Sequence, residues 1–156
     1  MELDEIIYTA ITDNATLSAD TDGRIYSTCI EVPPVEDDNT PLPYIIIDEE
    51  PSQNDMGTKD SVWESETDIV NVGVVISATS PAEVKRLRRL VRKAVASYVE
   101  SMTEDIPYLR QTSRDGIAWD WTKPCYYDTL HYQCDMTNHI YDEDEQEESP
   151  AAEPLI

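Results

Sequence analysis

The sequence predicts an α+β domain in which an N-terminal helix and one long central helix pack on an antiparallel sheet of about four to five strands. Two segments carry apolar residues at helical spacing, and the segments between and after them alternate apolar and polar residues as strands do. The chain has 156 residues, which is about the size of one ordinary domain. We therefore expect one domain over residues 1–141 and an acidic C-terminal extension over residues 142–156.

The first helix is predicted by an apolar stripe and by acidic residues in its first turn, where the helix dipole favours negative charge. The stripe consists of Leu3, Ile6, Ile7, Ala10 and Ile11. Asp22-Gly23 then predicts a turn, and residues 24–30 have the composition of a short strand. The prolines and acids of residues 31–43 indicate an extended surface loop.

Two apolar segments, Tyr44–Asp48 and Thr67–Thr79, are predicted to pair as antiparallel strands. On the second of them, Val70, Val72, Val74 and Ile76 share one face. The intervening polar residues 51–66 are more numerous than a hairpin requires, and loops of this length are usually functional or disordered. Met56 and Trp63 are their apolar contact candidates. Trp63 is either a core residue at the base of the loop or an anchor for a partner.

The strongest local signal is the start of the long helix. Ser80 is placed to cap it, Pro81 to occupy its first position, and Glu83 to complete a capping box. The buried stripe predicted for this helix, which continues to about Ser101, is Val84, Leu87, Val91, Ala94, Val95 and Tyr98.

Six of the 11 basic residues of the chain lie on the outer surface predicted for this helix: Lys85, Arg86, Arg88, Arg89, Arg92 and Lys93. One interpretation is a solvated helix face that supplies counter-charge to an acidic protein. The other is a docking surface for acidic segments of a neighbouring subunit, such as its residues 142–156. Direct contact with DNA is a third interpretation, which the net charge disfavours.

Residues 117–123, with Trp119 and Trp121 on one face, and residues 129–137 are predicted to form a closing pair of strands. On the second strand, Leu130, Tyr132, Cys134 and Met136 share a face. The set Cys125, His131, Cys134 and His139 has a spacing that loosely suggests zinc. Strand parity puts His131 and Cys134 on opposite faces, so we predict no metal site.

The charge is strongly negative, because 33 acidic residues against 11 basic ones give a formal net charge of −22. Such a chain repels nucleic acid. The acids are concentrated in residues 142–156, where Asp142, Glu143, Asp144 and Glu145 begin a run without any base. This composition is typical of a disordered tail, and we expect it to be held by a positive surface, with the Lys85–Lys93 helix as the first candidate.

Other classes of function are disfavoured. No apolar run approaches the length of a membrane span. The three cysteines, Cys29, Cys125 and Cys134, have no paired spacing and are predicted to be reduced thiols. Nucleotide-binding and hydrolase motifs are missing from the sequence, and adjacent carboxylates follow from its acidic composition. We therefore predict a protein that is not an enzyme, with no catalytic residue, metal or cofactor.

Three segments carry a resemblance to a known family. Gly23-Arg24-Ile25-Tyr26 follows an N-terminal helix, Leu42-Pro43-Tyr44-Ile45-Ile46-Ile47 comes next, and a valine-rich strand ends at Ser80 before a long helix. With the closing Tyr127-Asp128-Thr129-Leu130-His131-Tyr132, this order resembles the tail terminator and tail-completion proteins of long-tailed bacteriophages. The likeness covers residues 3–137. The family's usual Arg-Ile-Tyr-Pro reads Arg24-Ile25-Tyr26-Ser27 here, and the 51–66 loop and acidic extension lie outside the pattern.

The resemblance implies a structural subunit of a virion. Such a subunit forms a ring, commonly a hexamer, at the head-proximal end of the tail, where it stops growth of the tail tube and joins the tail to the neck. The implied partners are other copies of the chain, the tail-tube protein and neck or connector proteins. Genomic DNA would pass through the ring without specific binding, no membrane is involved, and assembly would take place in the cytoplasm of the bacterial host.

Two alternatives stay open. A neck or head-tail connector ring would share the size and the charge. A free acidic adaptor that mimics DNA would share the charge without forming a ring. For the ring, the predicted interface consists of Met56, Trp63, the six bases of the long helix, and the first four acids of the extension.

Overall fold

The computed structural model describes residues 2–27, 42–55, 65–102, 109–122 and 124–138. The predicted α+β class is confirmed, with six strands in a single sheet instead of the expected four to five. The elements in chain order are α1 (Leu3–Thr12), α2 (Ala15–Asp20), β1 (Ile25–Tyr26), β2 (Tyr44–Asn54), β3 (Thr67–Ala78), α3 (Pro81–Ser101), β4 (Arg110–Arg114), β5 (Ala118–Asp120) and β6 (Cys125–Thr137).

The strand order is β1-β2-β3-β6-β4, and β5 pairs with β6 beside β4. The predicted antiparallel pairing of β2 with β3 is confirmed, and β6 is antiparallel to β3, β4 and β5. The exception is β1, which pairs parallel with β2 through Ile25 opposite Ile45. A parallel pair needs a long connection, and the chain between β1 and β2 provides the length.

The core lies between the helices and one face of the sheet. The alternation predicted on the two central strands is confirmed, because Val72, Val74 and Ile76 of β3 are buried with their β6 neighbours. Those neighbours are Leu130, Tyr132 and Cys134. In α3 the predicted stripe is also buried, with Tyr98 half-buried at its end. The helices therefore bury one face of the sheet, and the other face carries both apolar and polar side chains, among them Ile46 of β2, Asn71 of β3 and His131 of β6.

The start of α3 follows the predicted chemistry in part. Ser80 Oγ accepts a hydrogen bond from the Glu83 backbone N–H at 3.2 Å, which caps α3 as predicted. The predicted capping box is not completed, because the Glu83 carboxylate accepts from the Arg86 guanidinium at 2.7 Å instead of from the Ser80 N–H. In α1 the Glu2 backbone N–H donates to the Glu5 carboxylate at 3.2 Å.

Several predicted boundaries are wrong. Strand β2 continues through Pro51–Asn54, which had been assigned to the loop, because its partner β3 extends alongside it past a bulge between Glu50 and Gln53. Strand β6 begins at Cys125 instead of residue 129, and β5 covers only residues 118–120 of the predicted 117–123. The polar ends of these strands carry no alternating pattern, so their pairing is set by the neighbouring strand.

Two elements were not predicted. Helix α2 has six residues and one buried apolar side chain, Leu17, so it shows no period; Asn14 Oδ1 caps it by accepting from the Leu17 N–H at 3.0 Å. Strand β4 is the polar edge sequence Arg-Gln-Thr-Ser-Arg. The predictions for residues 28–41, Met56, Trp63, His139 and residues 142–156 lie outside the described residues.

Candidate interaction surface

A cleft lined by six basic side chains lies between α3 and the edge strand β4. It has a volume of about 350 Å³, which is within the usual size of ligand clefts. We call it the basic cleft; its lining residues are Lys85, Arg88, Arg89, Arg92, Lys93 and Arg114. The sequence predicted the five helical bases together. It missed Arg114, which belongs to a strand that has no apolar signal.

The cleft exists because α3 lies along β6 in the same direction. Arg88 Nη1 lies 2.8 Å from Asp128 Oδ2, near the start of β6. One helical turn later, the positive charge of Arg92 lies close enough to Tyr132 to act on its phenol, although burial dominates and raises the pKa of Tyr132 to about 12. Arg114 joins them from β4, where it is paired with Leu130 of β6.

Most of the positive charges of the basic cleft have no carboxylate partner among the described residues. Arg88 is neutralised by Asp128, whose side chain is completely buried. Across the described ranges, no carboxylate lies within salt-bridge distance of the other five cations, which are Lys85, Arg89, Arg92, Lys93 and Arg114. Five positive charges therefore converge on one concave surface of a protein whose net charge is −22.

Two of the predicted surface bases have other roles. Arg86 points away from the basic cleft and bridges Asp20 at 2.8 Å and Glu83 at 2.7 Å, so it joins α3 to the end of α2. Arg88 was expected on the outer surface, but only 15% of its side chain is exposed. Its partner Asp128 was not predicted as a charged core residue, because strand periodicity alone places an apolar residue there.

A second surface feature is an exposed aromatic cluster beside β5. Trp119 packs edge-on against Tyr126, with ring centroids 4.8 Å apart, and Trp121 packs edge-on against Trp119 at 6.0 Å. Trp121 is 87% exposed. The prediction that both tryptophans lie on one strand is wrong, because β5 ends at Asp120, whose carboxylate accepts from the Thr122 N–H at 2.9 Å and closes a turn. Exposed tryptophan is common at protein interfaces.

The face of the sheet opposite the helices carries a histidine held between two carboxylates. His131 Nδ1 lies 2.6 Å from Glu50 Oε1, and its Nε2 lies 2.7 Å from Asp115 Oδ1. Partial burial lowers the pKa of His131, but the hydrogen bonds to Glu50 and Asp115 outweigh it, so the pKa is raised above its ordinary value. The imidazolium form joins β2, β6 and the segment after β4.

The geometry argues against the zinc set considered from the sequence. Cys134 faces the core while His131 lies on the opposite face, as strand parity predicts. Cys125 and Cys134 are buried, and burial raises the pKa of Cys134 to about 11. The reduced state of the three cysteines stays a prediction.

Another group of acidic side chains comes together near the start of α1. Carboxylate oxygens of Glu2, Asp4 and Glu49 lie within 4.8 Å of one another. These side chains are exposed or half-buried, and such a trio is expected by composition in a chain with 33 acids. We assign no ligand to it.

Hydrogen bonds from side-chain amides join Asn54 and Asn138 to Ser65, close to residues 56–64 in the sequence. Asn54 Nδ2 donates to the Ser65 carbonyl at 2.8 Å, and Asn54 Oδ1 accepts from the Ser65 N–H at 2.8 Å. Asn138 Nδ2 donates to the same carbonyl at 2.7 Å. Asn54 and Ser65, the described residues on the two sides of residues 56–64, are therefore held together where β2, β3 and β6 meet.

None of the helices in the described ranges combines the length and apolar character that a bilayer crossing requires. No protein-family model matches the chain, and no curated protein sequence matches it. A solved structure does match: a chain of the virion of a native gene transfer agent particle, with a TM-score of 0.50 and 15% sequence identity. The match covers 86% of this chain and 94% of that chain. At this identity the likeness shows a common fold.

Proposed function

We propose that this chain is a structural virion protein, without catalytic activity, that forms a ring at the head-proximal end of a phage-like tail. The observation that carries the proposal is the common fold with a chain of the gene transfer agent virion, which is matched over 94% of its length. The segments that resemble tail terminators, Gly23–Tyr26 and Leu42–Ile47 among them, point to the same class of particle.

The finer role that we propose is that of a terminator. Six copies of the chain would close a ring on the last layer of the tail-tube protein, end growth of the tube, and offer the opposite face to the neck or connector proteins. Assembly would take place in the cytoplasm of the bacterial host, and the product would be part of the virion.

A ring of identical subunits needs two different complementary surfaces on each subunit. The surface beside β6 differs in chemistry from the surface beside β2. The exposed cluster around Trp121 lies beside β6, next to the β4 edge, whereas the Glu2–Asp4–Glu49 carboxylates lie beside β2. Strand β3 separates β2 from β6. The surface beside β6 is therefore aromatic and the surface beside β2 is acidic, and this difference supports a heterologous contact, in which different surfaces of neighbouring subunits meet.

The charge also suits a ring through which genomic DNA passes. A subunit with a net charge of −22 gives DNA no general electrostatic attraction. Asn54 and Ser65, which flank residues 56–64, are joined to each other and to Asn138 by hydrogen bonds at one end of the sheet. Met56 and Trp63 belong to this segment, and we propose that it contacts the adjacent ring.

Deletion of the gene from the phage or agent that encodes it tests the role. A terminator prevents further polymerisation of the tube, so its loss should give abnormally long tails or unattached heads and tails in electron micrographs. Supplying the intact gene on a plasmid should restore finished particles. Tails of normal length beside heads that leak DNA would replace the terminator role with that of a connector.

A further inference from the structure

We propose that the basic cleft binds the acidic segment 142–148 of the same chain. The inference goes beyond the role in the virion and does not depend on ring formation. It rests on three features: the charge of the cleft, the direction in which the chain leaves β6, and the short tether between them.

The charges of the basic cleft and of segment 142–148 are opposite in sign and nearly equal in number. The basic cleft holds five cations without a carboxylate partner among the described residues, and it is concave enough to receive side chains. Segment 142–148 has the sequence Asp-Glu-Asp-Glu-Gln-Glu-Glu, which carries six carboxylates and no base. Each exposed ion pair alone contributes little, so binding depends on several contacts acting together and is screened by salt.

The chain leaves the sheet close enough to return to the cleft. Because α3 and β6 run in the same direction, the end of β6 at Thr137 lies toward the later turns of α3, beyond Arg92 and its neighbour Tyr132. Five strand residues from Tyr132 to Thr137 cover about 17 Å. The three residues between Asn138 and Asp142 allow at most about 14 Å between the Cα atoms of those two residues, and segment 142–148 adds about 20 Å. The acidic segment therefore reaches Arg92 and Lys93 by folding back.

The tether favours the chain's own segment over that of another copy. A short linker between two binding partners gives an effective concentration in the range of about 1 mM, which exceeds the concentration of free protein in ordinary solution. DNA is a competing polyanion, but it is repelled by the remaining charge of the chain. The same-chain acidic segment is therefore the occupant that we assign.

Zero-length coupling of carboxylates to lysines tests the proposal on the full chain. The chain has four lysines: Lys85 and Lys93, which line the basic cleft, and Lys59 and Lys123, which lie outside the described residues. At low salt we expect a water-soluble carbodiimide to link residues 142–148 to Lys85 and Lys93, with much lower yields for Lys59 and Lys123. In 1 M salt these links should disappear. The coupling is carried out on a mixture of ¹⁴N- and ¹⁵N-labelled protein. Because a link within one chain joins two peptides of the same isotope, mass spectrometry should find only ¹⁴N–¹⁴N and ¹⁵N–¹⁵N linked peptides.

A charge-reversal pair with a matched control tests the role of the cleft without removing its lysines. We expect Arg89→Glu with Arg92→Glu to lower the Lys93 link about tenfold, equivalent to about 1.4 kcal/mol. Both arginines are exposed, so the substitutions leave the core intact. Lys59→Glu with Lys123→Glu changes the net charge by the same amount and should leave the Lys93 link unchanged.

Three results would overturn the proposal. Links that carry mixed labels would assign the segment to a neighbouring copy. Equal yields at all four lysines, or yields that survive 1 M salt, would show that the basic cleft does not select the segment. The third result concerns a short DNA duplex at 150 mM salt. DNA would be the occupant if the duplex binds equally well with and without residues 142–156 and if this binding is lost in the Arg89→Glu with Arg92→Glu variant.

Discussion

Arg88 of α3 and Asp128 of β6 form an ion pair inside the protein, with 2.8 Å between Nη1 and Oδ2. The Asp128 carboxylate is completely buried, and its Oδ1 also accepts from the Gly116 N–H at 2.9 Å. Gly116 has a φ of 93°, a conformation that favours glycine. One carboxylate thus joins the long helix, β6 and the turn between β4 and β5.

We expect Arg88→Met to destabilise the protein by about 3–5 kcal/mol, because it leaves the Asp128 charge buried without its partner. The matched control is Arg86→Met on the same helix, which removes two partly exposed ion pairs, to Asp20 and to Glu83, and should cost at most about 1 kcal/mol. Urea unfolding followed by circular dichroism measures both free energies. Equal losses in the two variants would contradict the structural role of the pair.

A second prediction concerns the pH dependence of stability. The pKa of His131 is raised above its ordinary value of 6.5 by its bonds to Glu50 and Asp115. A raised pKa means that the folded state holds the proton more tightly than the unfolded state, so the stabilisation is fully present below about pH 6.5. It should be lost as the pH rises through the folded pKa.

His131→Gln keeps hydrogen-bonding capacity but removes the titration. We expect it to cost about 1 kcal/mol at pH 6, and to cost less at pH 9, where a smaller fraction of His131 carries the proton. Urea midpoints measured at both values test this difference. A cost that is the same at both pH values would show that the positive charge of His131 does not contribute.

Gly73 leaves the space that the Glu50 side chain occupies. A Cβ added at Gly73 would lie 2.8 Å from Glu50 Oε1, so Gly73→Ala must push this flexible side chain aside. We expect the pKa of His131 to fall toward its ordinary value, while stability changes by less than about 1 kcal/mol. An NMR titration of the imidazole protons reports the pKa. An unchanged pKa in the variant would show that Glu50 does not raise it.

Substitution of Trp121 should affect assembly of the subunits without affecting the stability of the fold. Its side chain is 87% exposed, so Trp121→Ala should change stability by no more than about 0.5 kcal/mol. If it anchors a subunit contact, the same variant should lower the fraction of assembled rings in native mass spectrometry. Tyr8→Ala, which removes an exposed aromatic from α1, is the control and should leave assembly unchanged. Rings at the normal level in the Trp121 variant would remove this residue from the interface.

The parts of the fold that were predictable are those in which burial repeats with a period. The stripe from Val84 to Val95 and the alternation of Val72, Val74 and Ile76 indicated their elements because one face of each meets the core. Strand β4 and the later half of β2 are polar and exposed, so only their pairing partners define them. The sequence offered no pattern for either.

The same limit applies to the candidate site. The bases of α3 were visible as a cluster, but the cleft requires Arg114 from an unpredicted strand. Which bases of α3 form ion pairs also depends on tertiary contacts: Arg86 binds Asp20, and Arg88 binds Asp128. Both contacts join residues far apart in the chain, and the spacing of the bases carries no information about them.

Electron microscopy of the purified full chain, combined with native mass spectrometry, tests whether the chain forms the proposed ring. We expect closed rings with a mass of six times 17.7 kDa, formed alone or on isolated tail tubes. A species that stays monomeric at high protein concentration and also fails to bind tail tubes would contradict it.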